Sequence, residues 1–105
     1  MAFVAIYNDQ PVGIIGLKDK VELVGYNERT PWIAHLFVIQ EYRKQSIGTL
    51  LLKKACDTAR ELGYTRVSLF TVITDSNSWY ARMQWQQFGR DTYQGTEAIL
   101  WEYVL

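Results

Sequence analysis

Residues 37 to 63 hold the stretch best suited to chemistry on an anion. Phe37-Val38-Ile39 ends an apolar, β-branched strand. Gln40-Glu41-Tyr42-Arg43-Lys44-Gln45 follows as a short polar turn with two cations, and an amphipathic helix starts near Ser46 or Ile47. A helix leaves its first N–H groups without intrahelical acceptors and carries positive dipole character there, so this turn suits a phosphate. Arg43 and Lys44 stand beside it, and Gly48 lets a ligand approach the backbone closely. The anionic part of a cofactor is the natural guest; the alternative is an ordinary strand-to-helix turn with a solvated cation pair.

The elements that must position this turn can be taken in chain order. Phe3-Val4-Ala5-Ile6-Tyr7 reads as a strand, Asn8-Asp9-Gln10-Pro11 as its turn, and Val12 to Leu17 as the antiparallel return, which Val21-Glu22-Leu23-Val24 extends. Gly25 to Pro31 is a polar loop, and Trp32-Ile33-Ala34-His35-Leu36-Phe37-Val38 is an apolar third strand, central in its sheet. The helix from Ile47 to Leu62 puts Ile47, Leu51, Ala55, Thr58, Ala59 and Leu62 on one face, flanked by Leu50 and Leu52, with Gly63 just past its C-terminus. Arg66 to Val72 returns as a strand parallel to the third, so that strand, helix and strand form one βαβ crossover. Asp75-Ser76-Asn77 caps a short helix from Ser78 to about Met83, and Gln86–Tyr93 with Ala98–Val104 closes the chain as a hairpin across Gln94-Gly95-Thr96.

Composition bounds the reading. A chain of 105 residues is expected to form one domain, and 49% hydrophobic with 21% charged residues is the balance of a soluble globular protein. The formal net charge is zero, with no block of like charge, which argues against nucleic acid or a membrane surface as partner. Cys56 is the only cysteine, so there is no internal disulfide and no metal pattern; it is expected in the core. With no signal-like segment at Met1, a reducing cytoplasm is the default location.

Arg43-Lys44-Gln45-Ser46-Ile47-Gly48, between a Phe-Val strand end and Thr49-Leu50-Leu51, resembles the acetyl-CoA pyrophosphate loop of the GNAT superfamily of N-acetyltransferases, whose pattern is Gln/Arg-x-x-Gly-x-Gly/Ala. Trp79-Tyr80-Ala81-Arg82-Met83-Gln84-Trp85 is similar to the family's Tyr-Glu-Lys-Leu-Gly-Phe/Trp signature. Each motif departs at one glycine: Ser46 stands at the first of the loop, and Gln84 at that of the signature. The resemblance covers essentially the whole chain. It implies an α/β (α+β) fold with a mixed, mostly antiparallel sheet, a central βαβ crossover and flanking helices. It also assigns cofactor contacts to Arg43, Lys44, Gln45, Ser46, Ile47, Gly48 and Thr49, to the backbone of Leu36, Phe37 and Val38 along the pantetheine arm, and to Asn77.

The chemistry so implied is acetyl transfer from coenzyme A to the amine of a small molecule or peptide by direct attack on the thioester. Tyr80 is the candidate acid for the leaving thiolate, since a phenol of pKa about 10 is protonated at neutral pH; packing on the short helix is its alternative role. His35, the only histidine, is the candidate base for the amine proton, with Glu22 and Glu28 as alternatives. The four tryptophans read as core and pocket wall, because basic residues do not interleave with them as in a nucleic-acid surface. Relatives usually begin with a further strand and two helices, so a short form lacking them is expected, its open strand edge covered in a homodimer. A coenzyme A-binding module without turnover, serving as sensor or subunit, is the competing reading.

Overall fold

The computed structural model describes residues 1–19, 21, 23, 25–43, 45–72 and 77–105, and of these all side chains except those of Asn27, Asn77 and Ser78. Ala2–Tyr7 (β1) and Gln10–Lys18 (β2) form the opening hairpin. Asn8 and Asp9 between them both take left-handed angles, φ 50° and 62°. Their short polar side chains tolerate that region, and two such residues make a turn whose twist matches the strands, so the turn needs two residues rather than four. Among the described residues the second strand is not extended: β2 ends at Lys18, and Val21 and Leu23 lie outside any strand. Glu22 and Val24 fall outside the described residues.

Trp32–Val38 (β3), helix Ile47–Glu61 (α1) and Arg66–Val72 (β4) make the βαβ crossover, with β3 and β4 parallel as their connection requires. Helix Asn77–Arg82 (α2) and the hairpin of Gln86–Tyr93 (β5) with Thr96–Val104 (β6) complete one mixed six-stranded sheet in the order β1-β2-β3-β4-β6-β5. Every neighbouring pair but β3–β4 is antiparallel.

One face of this sheet carries α1. Leu51, Leu52, Ala55, Cys56 and Ala59 are buried against Ile15, Leu17, Ile33, Val67, Leu69, Ile99 and Trp101, which shows the helical period meeting the two-residue strand period. Contact is close at Gly13, where a Cβ would lie 3.0 Å from Leu51 Cδ1 and 3.2 Å from Phe37 O, so a side chain there would make Leu51 shift. Cys56 is in this core as expected. Leu50 and Leu62 are not, at 63% and 58% exposed. The apolar stripe is carried instead by Leu52 and Cys56, and Leu62 is the C-cap, where the chain already turns away.

Two helix ends share one closure. At α1, Gly63 (φ 95°) donates its N–H to Arg60 O at 3.0 Å and Tyr64 donates to Ala59 O at 3.1 Å. At α2, Gln84 (φ 70°) donates to Ala81 O and Trp85 to Tyr80 O, both at 3.1 Å. Both are the paired 6→1 and 5→2 bonds that need a left-handed residue after the helix. The second ties Trp85 back to Tyr80, and their rings meet edge-on with centroids 5.9 Å apart. Asp75 and Ser76 of the expected cap of α2 fall outside the described residues.

The opposite face is covered by the 26–31 segment. Trp32 Nε1 donates to Tyr26 O at 3.0 Å, and buried Ser68 Oγ donates to Arg29 O at 2.9 Å. The Arg29 guanidinium stacks 3.9 Å from the Phe88 centroid.

Candidate active site

The site begins with an extra residue in β3. Ile14 pairs with Phe37 and Gly16 with Ala34, so His35 and Leu36 together oppose Ile15 in a β-bulge. His35 takes the left-handed angle the bulge demands, φ 59°, which histidine visits more readily than most residues. The bulge bends β3 away from β4, and the two strands are in register at Trp32 and Ser68 alone. Beyond that point they enclose a cleft of about 230 Å³, lined by Ile33, Ala34, His35 and Leu36 on one side and by Leu69, Phe70 and Tyr80 on the other. His35 is exposed at its mouth, and Tyr80 is buried at 7% exposure. The sequence thus brings its two candidate proton-handling groups to one cleft.

Tyr80 is held by three rings, Trp79 at 5.0 Å, Trp85 at 5.9 Å and Trp101 at 5.9 Å between centroids. Burial pushes its phenol up to about 12, because the phenolate would lose its hydration there. Among the described residues no group hydrogen-bonds its hydroxyl, which leaves that proton available to a guest of the cleft.

Beside the cleft lies a groove of about 390 Å³ over the start of α1, lined by Val38, Arg43, Ser46, Gly48, Thr49 and Trp79. The first helical bond runs from Leu50 N–H to Ser46 O (3.0 Å), so the N–H groups of Ile47, Gly48 and Thr49 have no helical acceptor. Ser46, the N-cap, is left-handed at φ 65° and makes no side-chain cap. It adopts an angle suited to glycine, at a cost of about 1–2 kcal/mol. Gln84 does the same at the end of α2, so both positions where the family motif has glycine keep a glycine-like backbone without glycine.

The remaining predicted contacts divide. Arg43 lines the groove but turns back onto β3, where its Nε donates to Val38 O at 2.8 Å and its guanidinium lies 5.5 Å from the Phe37 ring. Ile47 points its side chain toward β2, 3.4 Å from a Cβ built on Gly13, and is not part of the groove lining. Ile39 N–H donates to Val12 O at 2.9 Å, and strand alternation then directs the main chain of Phe37 to β2 and that of Val38 away from it. The main chain of Phe37 thus faces β2, and its side chain is 54% exposed. Gln45 is exposed outside the groove lining, and Glu28 is exposed in the turn Asn27–Arg29 on the far face. Lys44, Glu22 and the side chain of Asn77 fall outside the described residues. Ala34, Leu69 and Phe70 were not singled out as site residues, since nothing local marks a strand residue as facing a gap made by a bulge.

The profile of the acetyltransferase (GNAT) family matches residues 1–84. The chain belongs to this family. It is 30% identical over 113 residues to N-alpha-acetyltransferase 30 of Schizosaccharomyces pombe (strain 972 / ATCC 24843), a match covering 99% of this chain and 70% of that one. Two solved structures share the fold. One is a Bacillus anthracis str. Ames protein in complex with acetyl coenzyme A, at TM-score 0.84 and 22% identity, covering 99% of this chain and 61% of that one. The other is ribosomal-protein-alanine N-acetyltransferase from Brucella melitensis, at TM-score 0.78 and 19% identity, covering 99% and 68%. The chain thus spans about three fifths to seven tenths of these three relatives.

Proposed function

We propose that the chain transfers an acetyl group from acetyl-CoA to a primary amine of a small molecule or peptide by direct attack on the thioester. One observation carries the reading: the bulge at His35 and Leu36 opens a cleft lined by both His35 and Tyr80, whose hydroxyl has no hydrogen-bond partner among the described residues, next to a groove at the start of α1. The names of the relatives support it, since one is an N-alpha-acetyltransferase and another is bound to acetyl-CoA. When bound, acetyl-CoA supplies an activated acyl carbon. The N–H groups of Ile47, Gly48 and Thr49, with Arg43, would hold the pyrophosphate; Val38 would offer its main-chain N–H to the arm; His35 would take the proton of the attacking amine; Tyr80 would deliver its proton to the departing sulfur.

The test is release of free thiol from acetyl-CoA over a panel of small amines and peptide N-termini. Thiol released in proportion to acetylated amine supports transfer. Tight binding of acetyl-CoA with no release over the panel points to the silent binding module instead.

A homodimer belongs to the same proposal. Among the described residues β1 pairs with β2 alone, and Val4 and Ile6 are 52% and 61% exposed along this open edge, which a second copy would cover. Sedimentation is expected to give twice the mass of 12.2 kDa, and a stable monomer at high concentration overturns this part.

A further inference from the structure

A second cavity lies further along α1, away from the cleft. α2 meets α1 at its first turn, where Trp79 lies near Gly48, and it stops at Arg82 after 6 residues, whereas α1 runs for 15. The later turns of α1 have no second helix beside them among the described residues, and a cavity of about 380 Å³ opens there against Met83, Trp85 and Tyr103. That volume is within the range of about 300–1,000 Å³ usual for small-molecule sites. Its α1 wall is one stripe from Thr49 through Lys53 and Cys56 to Arg60, at the three- and four-residue spacing of a helix face.

Floor and rim differ in chemistry. Leu52, Cys56 and Trp85 are 4%, 7% and 5% exposed, and with Met83 and Tyr103 they make an apolar base. The rings of Trp85 and Tyr103 lie 5.3 Å apart at 31°, and the adaptable Met83 thioether suits contact with a flat ring. Burial pushes the Cys56 thiol up to about 11, so it stays neutral and does not repel an anion. At the rim, Asp57 accepts from Lys53 Nζ at 2.9 Å with one carboxylate oxygen and from Arg60 Nη1 at 3.0 Å with the other. Two cations thus share one carboxylate, and the rim keeps one positive charge in excess. An ammonium has three donors and a guanidinium five, so both cations retain donors for a second anion.

We propose that this cavity binds a small planar aromatic monocarboxylate, with its ring on the Trp85 and Tyr103 floor and its carboxylate between Lys53 and Arg60. A neutral ring would leave the excess charge of the rim unmatched, and a cation would be repelled by it. The cavity shares only Thr49 with the groove and no residue with the cleft of His35 and Tyr80, so the inference stands apart from the acetyl-transfer reading.

The probes are 2-naphthoate, 2-naphthamide, which keeps the rings without the charge, and acetate, which keeps the charge without the rings. Nuclear magnetic resonance of the isotope-labelled protein reads the N–H signals. On adding 2-naphthoate, the indole signal of Trp85 and the amides of Cys56 and Arg60 are expected to move saturably, while the indole of Trp32 on the opposite face stays still. 2-Naphthoate should bind about threefold to tenfold more tightly than 2-naphthamide, the worth of partly exposed ion pairs, and acetate should give no saturable change. Lys53→Gln, at a side chain 71% exposed, should weaken 2-naphthoate about threefold and leave 2-naphthamide unmoved. The inference fails if 2-naphthoate at millimolar concentration leaves Trp85 still, or moves only signals of the groove or the cleft. Equal affinity of the wild type for the two naphthalenes, or no loss of 2-naphthoate in Lys53→Gln, would show that the rim recognises no anion and would overturn it as well.

Discussion

The groove and the cleft solve different problems with different parts of the chain. The groove offers main-chain N–H groups at an exposed helix start, with Arg43, Ser46 and Thr49 among its lining. The cleft offers one buried phenol and one exposed imidazole, each held by a distant element. Donors in the backbone survive a change of side chain, which is why Ser46 can stand where the motif has glycine. A proton donor has no such tolerance, because its chemistry is the side chain. Substitutions in the groove should therefore move affinity, and those in the cleft should move turnover.

The largest expected effect is in the cleft. Tyr80→Phe keeps the ring packed among three tryptophans and removes only the hydroxyl. Turnover is expected to fall about 10²–10⁴-fold with cofactor affinity nearly unchanged, read by steady-state kinetics beside calorimetry. Full retention of kcat with an accepted amine would return Tyr80 to a packing role and erase the contrast.

The cleft phenol should also mark stability at high pH. Tyr80 is raised from 10.0 to about 12 by burial, and Cys56 from 9.0 to about 11, chiefly by burial too. For both, the folded state keeps a proton that the unfolded chain sheds, so stability is fully present below pH 9 and is lost as pH rises through 11 and 12. The Tyr80 share is on the order of 3 kcal/mol at most. Denaturant titrations at pH 9 and above should show a smaller alkaline loss in Tyr80→Phe than in the wild type; equal losses would show that the phenol is solvated.

In the groove, Gly48→Glu places a carboxylate where the pyrophosphate is to lie, and the fold can accept the Cβ. Affinity for coenzyme A is expected to fall at least about tenfold with unfolding stability little changed. Calorimetry giving equal affinities would move the phosphate site elsewhere. The smallest effects concern the left-handed residues. Ser46→Gly and Gln84→Gly should each stabilise by about 0.5–1 kcal/mol, the relief of a left-handed side chain less the extra freedom of glycine in the unfolded chain. Thermal melts test this, and Ser46→Gly should leave kcat unaltered.

Much of this could be read without coordinates. The period-2 and period-3.6 patterns placed β3, α1, β4, α2 and the closing hairpin to within about two residues, because each pattern reports which side chains share a face. Gly63 marked the end of α1, since only a left-handed residue closes the helix with that pair of bonds. The groove was legible for the same reason: Arg43 to Thr49 are neighbours in sequence, and a helix start builds its N–H groups from consecutive residues.

Tertiary structure decided the rest. Strand alternation alone left the direction of His35 open; the extra residue opposite Ile15, a feature of pairing with β2, put its backbone in the left-handed region at the edge of the cleft. The same bulge parted β3 from β4, and alternation past it committed the Phe37 backbone to the sheet. The burial of Tyr80, the exposure of Leu62 and the position of Trp79 against Gly48 depend on how α1 and α2 dock on the strands. The sequence by itself determined the elements and the anion-suited turn, because these arise between residues a few positions apart. The cleft that joins His35 to Tyr80 is made by register and docking, which no local stretch encodes.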